Sequence, residues 1–225
     1  MAAFLAPRYQ LHTPDLPGYG ATPGCVPYTL EGVAAAVAQA APPRCHVVGW
    51  SLGGQLALAW ARRAPRQVDR LVLIAATPSF VQRADWPHAV TQELLLGFSA
   101  ELGTDRDGTL KRFAALQAQG DDNARDVARK LRAAFTAGGA AGAAALEGGL
   151  RILLETDLRA GLSSIRQLVL VLQGDHDSLV PLAAGVHLNR RLPSARVTVL
   201  PGTAHAPFLS KPREMAAALH EFFDE

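Results

Sequence analysis

Gly49-Trp50-Ser51-Leu52-Gly53 sets a serine between two glycines in the spacing G-x-S-x-G. A strand pattern precedes it and a helix pattern follows it, as a nucleophile elbow requires. At such an elbow the sharp turn exposes the hydroxyl of Ser51, and Gly49 and Gly53 are expected to leave room for close backbone approach. The following helix would turn its positive end toward the reaction centre. The backbone N–H of Leu52 could then donate to an oxyanion. A Gly-rich turn of this kind can also serve packing or phosphate binding, but no lysine or second acidic phosphate-site signature accompanies it.

A serine hydroxyl needs a base, and the base needs an orienting carboxylate. Of the seven histidines, His205 stands out. It lies in Pro201-Gly-Thr-Ala-His205-Ala-Pro-Phe208, a loop between the last strand pattern and the last helix pattern. His12, His46, His187 and His220 lie in or beside regular elements, and His88 lies in a helical segment; structural roles suffice for these. The carboxylate candidates are Asp175 and Asp177, in the loop Gly174-Asp-His-Asp-Ser-Leu-Val-Pro181. Asp175-His176-Asp177 is a poor metal site, because adjacent loop residues rarely converge on one ion without further partners. No metal and no cofactor is expected.

Strand patterns alternate with helix patterns along the chain. Cys45–Trp50, Arg70–Ala75, Gln167–Leu172 and Arg196–Leu200 read as strands, the second and third as the continuous apolar runs of a parallel sheet buried on both faces. Tyr9–Thr13 also reads as a short strand. Leu30–Gln39, Gln55–Ala64 and Lys211–Phe223 read as helices, with Pro212 tolerated in a first turn. Between Trp86 and Ala160 no strand pattern occurs. There Phe113, Leu116 and Gln117 share one helical face, and Val127, Leu131 and Ala134 another. Gly138-Gly139 and Gly148-Gly149 punctuate the stretch. The expected architecture is a doubly wound, mostly parallel α/β sheet (residues 1–85 and 161–225) with an inserted helical lid (86–160).

The 225 residues are 49% hydrophobic and 19% charged, with a net charge of +2. That suits one globular domain with an insertion and excludes a disordered chain. The near-neutral charge argues against a nucleic-acid binder. No apolar run is long enough to span a membrane, and the N-terminus does not read as a signal peptide. Cys25 and Cys45 form no disulfide framework, so a cytoplasmic setting is expected.

With these features in hand, the chain resembles the α/β-hydrolases that act as pimeloyl-[acyl-carrier protein] methyl ester esterases in biotin synthesis. The resemblance runs from about Leu11 to the C-terminus. Asp15-Leu-Pro-Gly-Tyr-Gly20, Gly49–Gly54 and the Asp177 loop are general to the fold. Thr77–Phe80 through Asp85-Trp86-Pro87, Arg112–Gln117, and Gly148–Leu153 with Thr156–Arg159 carry the more specific likeness, and Ala204–Phe208 matches as well. The fold's chain order of Ser, acid, His implies Ser51, Asp177 and His205, with Asp177 preferred over Asp175 because it precedes the Leu-Val-Pro turn. The family further implies a substrate-binding role for Trp50 and for Phe113, Ala114, Ala115, Leu116 and Gln117.

The partner would be an acidic acyl carrier protein. Arg112, Arg125, Arg129 and Arg132 all lie in the lid, the last three at i, i+4, i+7 on one helix face. Asp121, Asp122 and Asp126 are interleaved with them, as on a solvated face. A monomer is expected.

The chain departs from the family in one respect. The family begins with two strands and a His-Gly-Trp-Gly-like loop that supplies a second oxyanion N–H, and nothing like it precedes Asp15. About 30 residues are expected to be missing, through either a misassigned start or a natural truncation. The competing functions are a broad short-chain carboxylesterase or thioesterase, and a catalytically impaired hydrolase-fold binding protein.

Overall fold

The computed structural model describes residues 1–137 and 142–225; the Gly138-Gly139 pair lies outside them. Four strands form one parallel sheet in the order β1 (Cys45–Trp50), β2 (Val68–Ile74), β3 (Leu168–Gly174), β4 (Ala195–Leu200). β1 has the bounds expected of it, and the other three match their expected strands to within two residues at either end. The helices in chain order are α1 (Ala2–Leu5), α2 (Leu30–Ala40), α3 (Leu52–Arg63), α4 (Gln92–Leu102), α5 (Arg106–Ala118), α6 (Ala124–Ala137), α7 (Ala143–Glu155), α8 (Leu182–Arg191), α9 (Pro207–Ser210) and α10 (Pro212–Asp224).

The period-2 geometry of a strand sends alternate residues to opposite faces. Leu71, Leu73, Val169 and Val171 point to the face covered by α2, α3 and α8, where they meet Val33, Leu58, Trp60 and Leu188. Val72, Ile74, Leu170 and Leu172 point to the other face and meet Met215, Leu219 and Phe222 of α10, with Leu5 of α1. Both faces are therefore apolar, which is why β2 and β3 read as unbroken hydrophobic runs.

Tyr9–Thr13 is not a strand. Only its first residue packs on α10: the Tyr9 ring stacks on His220 with centroids 5.5 Å apart, beside the Arg8–Asp224 pair at 2.9 Å, while residues 10–13 are exposed. A strand needs a ladder partner, and β1, the neighbouring edge, has none on its outer side among the described residues. A concavity of about 1310 Å³ runs along that edge, and its lining includes none of Ser51, Asp177 or His205. No helix among the described residues is long and apolar enough to cross a membrane.

Helices α4 to α7 all lie between β2 and β3. Thr91 and Asp105 cap α4 and α5 through their side-chain oxygens. The inward face of α6 is Val127, Leu131 and Phe135. Ala134, expected on that face, is exposed, because the inner contacts follow i, i+4, i+8. The two ends of the helical segment are tied together by ion pairs. Arg159 reaches Asp85 at 3.0 Å and Asp157 at 2.7 Å, and its guanidinium sits 5.6 Å above the buried Trp86 ring. The Arg159 hydrogen bond holds the Asp157 carboxyl below the usual carboxylate range.

Gly148 and Gly149 do not break a helix; they lie inside α7. Their roles differ. A Cβ on Gly148 would fall 2.4 Å from the Tyr28 ring, whereas one on Gly149 would make an ordinary contact, 3.5 Å from Leu52. Gly148→Ala should cost about 1–3 kcal/mol by overpacking. At about 2–4 °C per kcal/mol for a chain of this size, its Tm should drop by several degrees. Gly149→Ala should hold or raise Tm, since alanine is the better helix former by up to about 1 kcal/mol. Thermal melts of the two variants check this; equal destabilisation would contradict the packing of α7 on Tyr28.

Candidate active site

Ser51 joins β1 to α3 with φ +53°, a left-handed conformation that costs a non-glycine residue on the order of 1–3 kcal/mol. The turn closes because Gly49 has no side chain: a Cβ there would lie 2.3 Å from the Gly53 carbonyl oxygen. Gly53 itself has open space where a Cβ would go. The second tight glycine is Gly54, whose Cβ would meet that of Ala76 at 2.3 Å. The close approach expected at Gly53 is thus made by its backbone, and the side-chain constraint falls one residue later. The Ser51 N–H donates to the Ile74 carbonyl (3.0 Å) and the Ser51 carbonyl accepts from Gly54 (2.9 Å), so both sides of the serine are pinned. Leu52 opens α3, so its N–H has no intrahelical acceptor and lies in the positive end of the helix.

His205 brings the loop after β4 over this turn. Its Nε2 lies 2.9 Å from Ser51 Oγ and its Nδ1 2.9 Å from Asp177 Oδ2. His205 and Asp177 are both buried. The other Asp177 oxygen accepts the N–H groups of Leu179 (3.0 Å) and Val180 (2.9 Å), and Gln173 Nε2 donates to Oδ2 at 3.1 Å. The Leu-Val-Pro turn thus anchors the carboxylate that faces the imidazole. Asp175 points elsewhere and accepts the Gly202 N–H at 2.7 Å. Sequence reasoning missed Gln173; its signal was a lone amide at the end of an apolar strand.

Trp50 donates its indole N–H to the His205 carbonyl at 2.7 Å and packs edge-on against Phe208. Gln117 is buried, and its backbone carbonyl accepts the His205 N–H at 3.1 Å. Both therefore touch the loop of the candidate base. Phe113 and Leu116 join Leu52, Phe80, Leu154 and Leu179 in one apolar cluster. Ala114 is buried against the Trp50 and Phe208 side. Ala115 alone of the five is exposed, pointing away from that cluster, so the structure does not bring it to the site. Of the arginines, Arg112 pairs with Glu101 and Asp105, and Arg129 pairs with Asp126. Arg125 and Arg132 are exposed and make no ion pair among the described residues. No cluster of metal-ligating side chains occurs among the described residues.

Comparison with known proteins identifies the family. A family model described as the alpha/beta hydrolase family matches residues 1–218. The chain belongs to the α/β-hydrolase family. Among this hydrolase's curated relatives, a pimeloyl-[acyl-carrier protein] methyl ester esterase of Xanthomonas campestris pv. campestris is 46% identical over 97% of this chain and 86% of its own. One of the same name from Nitrosomonas europaea is 40% identical over 95% and 84%. Among solved structures, an esterase from Exiguobacterium antarcticum superposes with a TM-score of 0.84 at 21% identity, covering 94% of this hydrolase and 80% of that chain. A bromoperoxidase from Bacillus anthracis gives 0.83 at 20% over the same shares. At those identities the superpositions speak for the fold alone.

The geometry separates the two neighbouring aspartates by experiment. Asp177→Asn should lower kcat for a p-nitrophenyl ester by about 10⁴, because the wrong His205 tautomer is then favoured. Asp175→Asn should stay within about threefold of the parent, since the amide oxygen still accepts from Gly202. Steady-state kinetics on both variants check this, and a larger loss in the Asp175 variant would reassign the acid.

Proposed function

We propose that the protein hydrolyses the methyl ester of a pimeloyl chain carried on an acyl carrier protein, releasing methanol and pimeloyl-carrier for biotin synthesis. The observation that carries this reading is the Ser51–His205–Asp177 chain of two 2.9 Å contacts, in a protein 40–46% identical to esterases of that name. Residues 86–160 serve as the lid.

In the first half-reaction Ser51 Oγ attacks the ester carbonyl carbon while His205 Nε2 takes its proton. The Leu52 N–H donates to the oxyanion as it forms. The tetrahedral intermediate collapses, and His205 returns the proton to the departing methoxide, giving methanol and an acyl-Ser51. In the second, His205 deprotonates a water that attacks the acyl carbon, and Ser51 leaves with the proton. Asp177 stays ionised throughout, orienting the imidazole and stabilising its charged form.

The methylene chain would lie against Phe113 and Leu116, beside Leu52 and Phe80, each buried CH₂ contributing about 0.8 kcal/mol. The carrier would dock on the outer face of α6, opposite Val127 and Leu131. Arg125, Arg129 and Arg132 are exposed there, and an acidic helix would complement them.

Hydrolysis of a short p-nitrophenyl ester should be lost in Ser51→Ala; no difference between the two proteins would favour the binding-protein reading. The gene should also rescue growth without biotin in a strain lacking its own esterase of this type, and failure to rescue by an ester-active protein would count against the substrate. Arg125→Glu with Arg129→Glu should raise KM for the carrier-bound substrate about tenfold while changing KM for the small ester less than twofold. Equal changes would sink the docking face.

A further inference from the structure

Asp121 stands in the turn between α5 and α6, where the sequence pattern puts a solvated charge. The structure buries it. One carboxylate oxygen accepts the backbone N–H of Ala204 at 3.0 Å. The other accepts the N–H of Asn123 at 2.7 Å and the hydroxyl of Ser210 at 2.7 Å. A buried carboxylate is costly unless such donors satisfy it, and here three do. Two of them, Ala204 and Ser210, belong to the segment that carries His205 and reaches α9.

The surrounding turn repeats the same connection. The Gln117 carbonyl accepts the His205 N–H, and the Asp122 N–H donates to the Gly202 carbonyl at 2.9 Å. His176, beside Asp177, has its Nδ1 2.7 Å from the Gly120 carbonyl. Residues 117–122 thus grip both the loop of the base and the loop of the acid, from an element inserted between β2 and β3.

We propose that Asp121 is a positioning residue: by holding the Ala204 N–H it fixes the His205 loop, so the seating of the α5–α6 turn sets the Ser51–His205 distance. It touches no reacting atom and acts through the backbone next to the base. Misplacing a catalytic group by about 1 Å can cost on the order of 10² in rate. The claim rests on the triad reading but not on the identity of the substrate.

The test uses the full chain and two probes, a p-nitrophenyl phosphonate that labels an activated serine and p-nitrophenyl butyrate. Asp121→Ala should label to the same final stoichiometry as the parent, at a rate at least tenfold lower. Its kcat on the butyrate per labelled site should fall likewise, with KM within twofold. Asp121→Asn keeps an acceptor for Ala204 and should recover to within about threefold. Asp121→Ser can still cap Asn123 but is too short to reach Ala204; it should resemble the alanine variant and stands in for it if that protein does not accumulate. A labelling rate within twofold of the parent in the alanine or serine variant overturns the proposal. So does a loss that stoichiometry alone accounts for. A parent that labels at Ser51 yet does not turn over carrier-bound ester would sink the proposed substrate and leave this inference standing.

Discussion

The contact between Gly49 and the Gly53 carbonyl governs the site. A side chain at position 49 would stand 2.3 Å from that oxygen, so only glycine lets β1 run straight into α3 with a single residue between them. That residue is forced to φ +53° and carries its hydroxyl away from both elements. The strain is held by the sheet, since the Ser51 N–H is fixed to Ile74 at the end of β2. Burial of both sheet faces therefore does more than stabilise the fold. It supplies the rigidity against which one strained backbone position persists.

From that fixed point Asp177 and His205 need only reach inward from the ends of neighbouring strands. β3 and β4 pair in register up to Gly174 and Leu200, so the loops that follow them emerge side by side. Gly174 is as constrained as Gly49: a Cβ would lie 2.3 Å from the Thr203 carbonyl and 2.4 Å from that of Ala204. The Asp177 loop and the His205 loop pass this closely because Gly174, the last residue of β3, has no side chain. The same physical device, a glycine at the C-terminal end of a parallel strand, thus operates on both sides of His205.

Much of this was legible in the sequence, for identifiable reasons. β2 and β3 are buried on both faces, so their runs of valine and leucine could only be central parallel strands. The elbow was legible because steric demand restricts its residue types. Asp177 was separable from Asp175 only by resemblance, since both are aspartates one residue apart. In the structure the difference lies in which backbone N–H groups each can accept. Tyr9–Thr13 failed as a strand because only Tyr9 finds a packing partner, on α10, and Leu11 stays exposed. Gly148-Gly149, read as punctuation of the helical stretch, lies inside α7 for a reason of packing. Glycine also enters helices where a partner must approach closely, and Tyr28 approaches at position 148.

Charge was the least legible property. Asp121, Asp122 and Asp126 fall within six residues and look alike, as surface acids among arginines. Asp126 is one, paired with Arg129 and Lys130 on exposed helix. Asp121 is buried, with three donors around it. Nothing local distinguishes them, because two of those donors come from more than eighty residues away, on the far side of β3 and β4. A carboxylate's role is set by the donors that converge on it, and convergence is a property of the fold. The positions of Asp121 and Asp177 follow one logic: each is a buried acid made tolerable by backbone N–H groups, one facing the imidazole and one facing the peptide that precedes it. The histidine between them is held through its ring and its carbonyl by the body of the protein, and through its backbone N–H by the inserted helices.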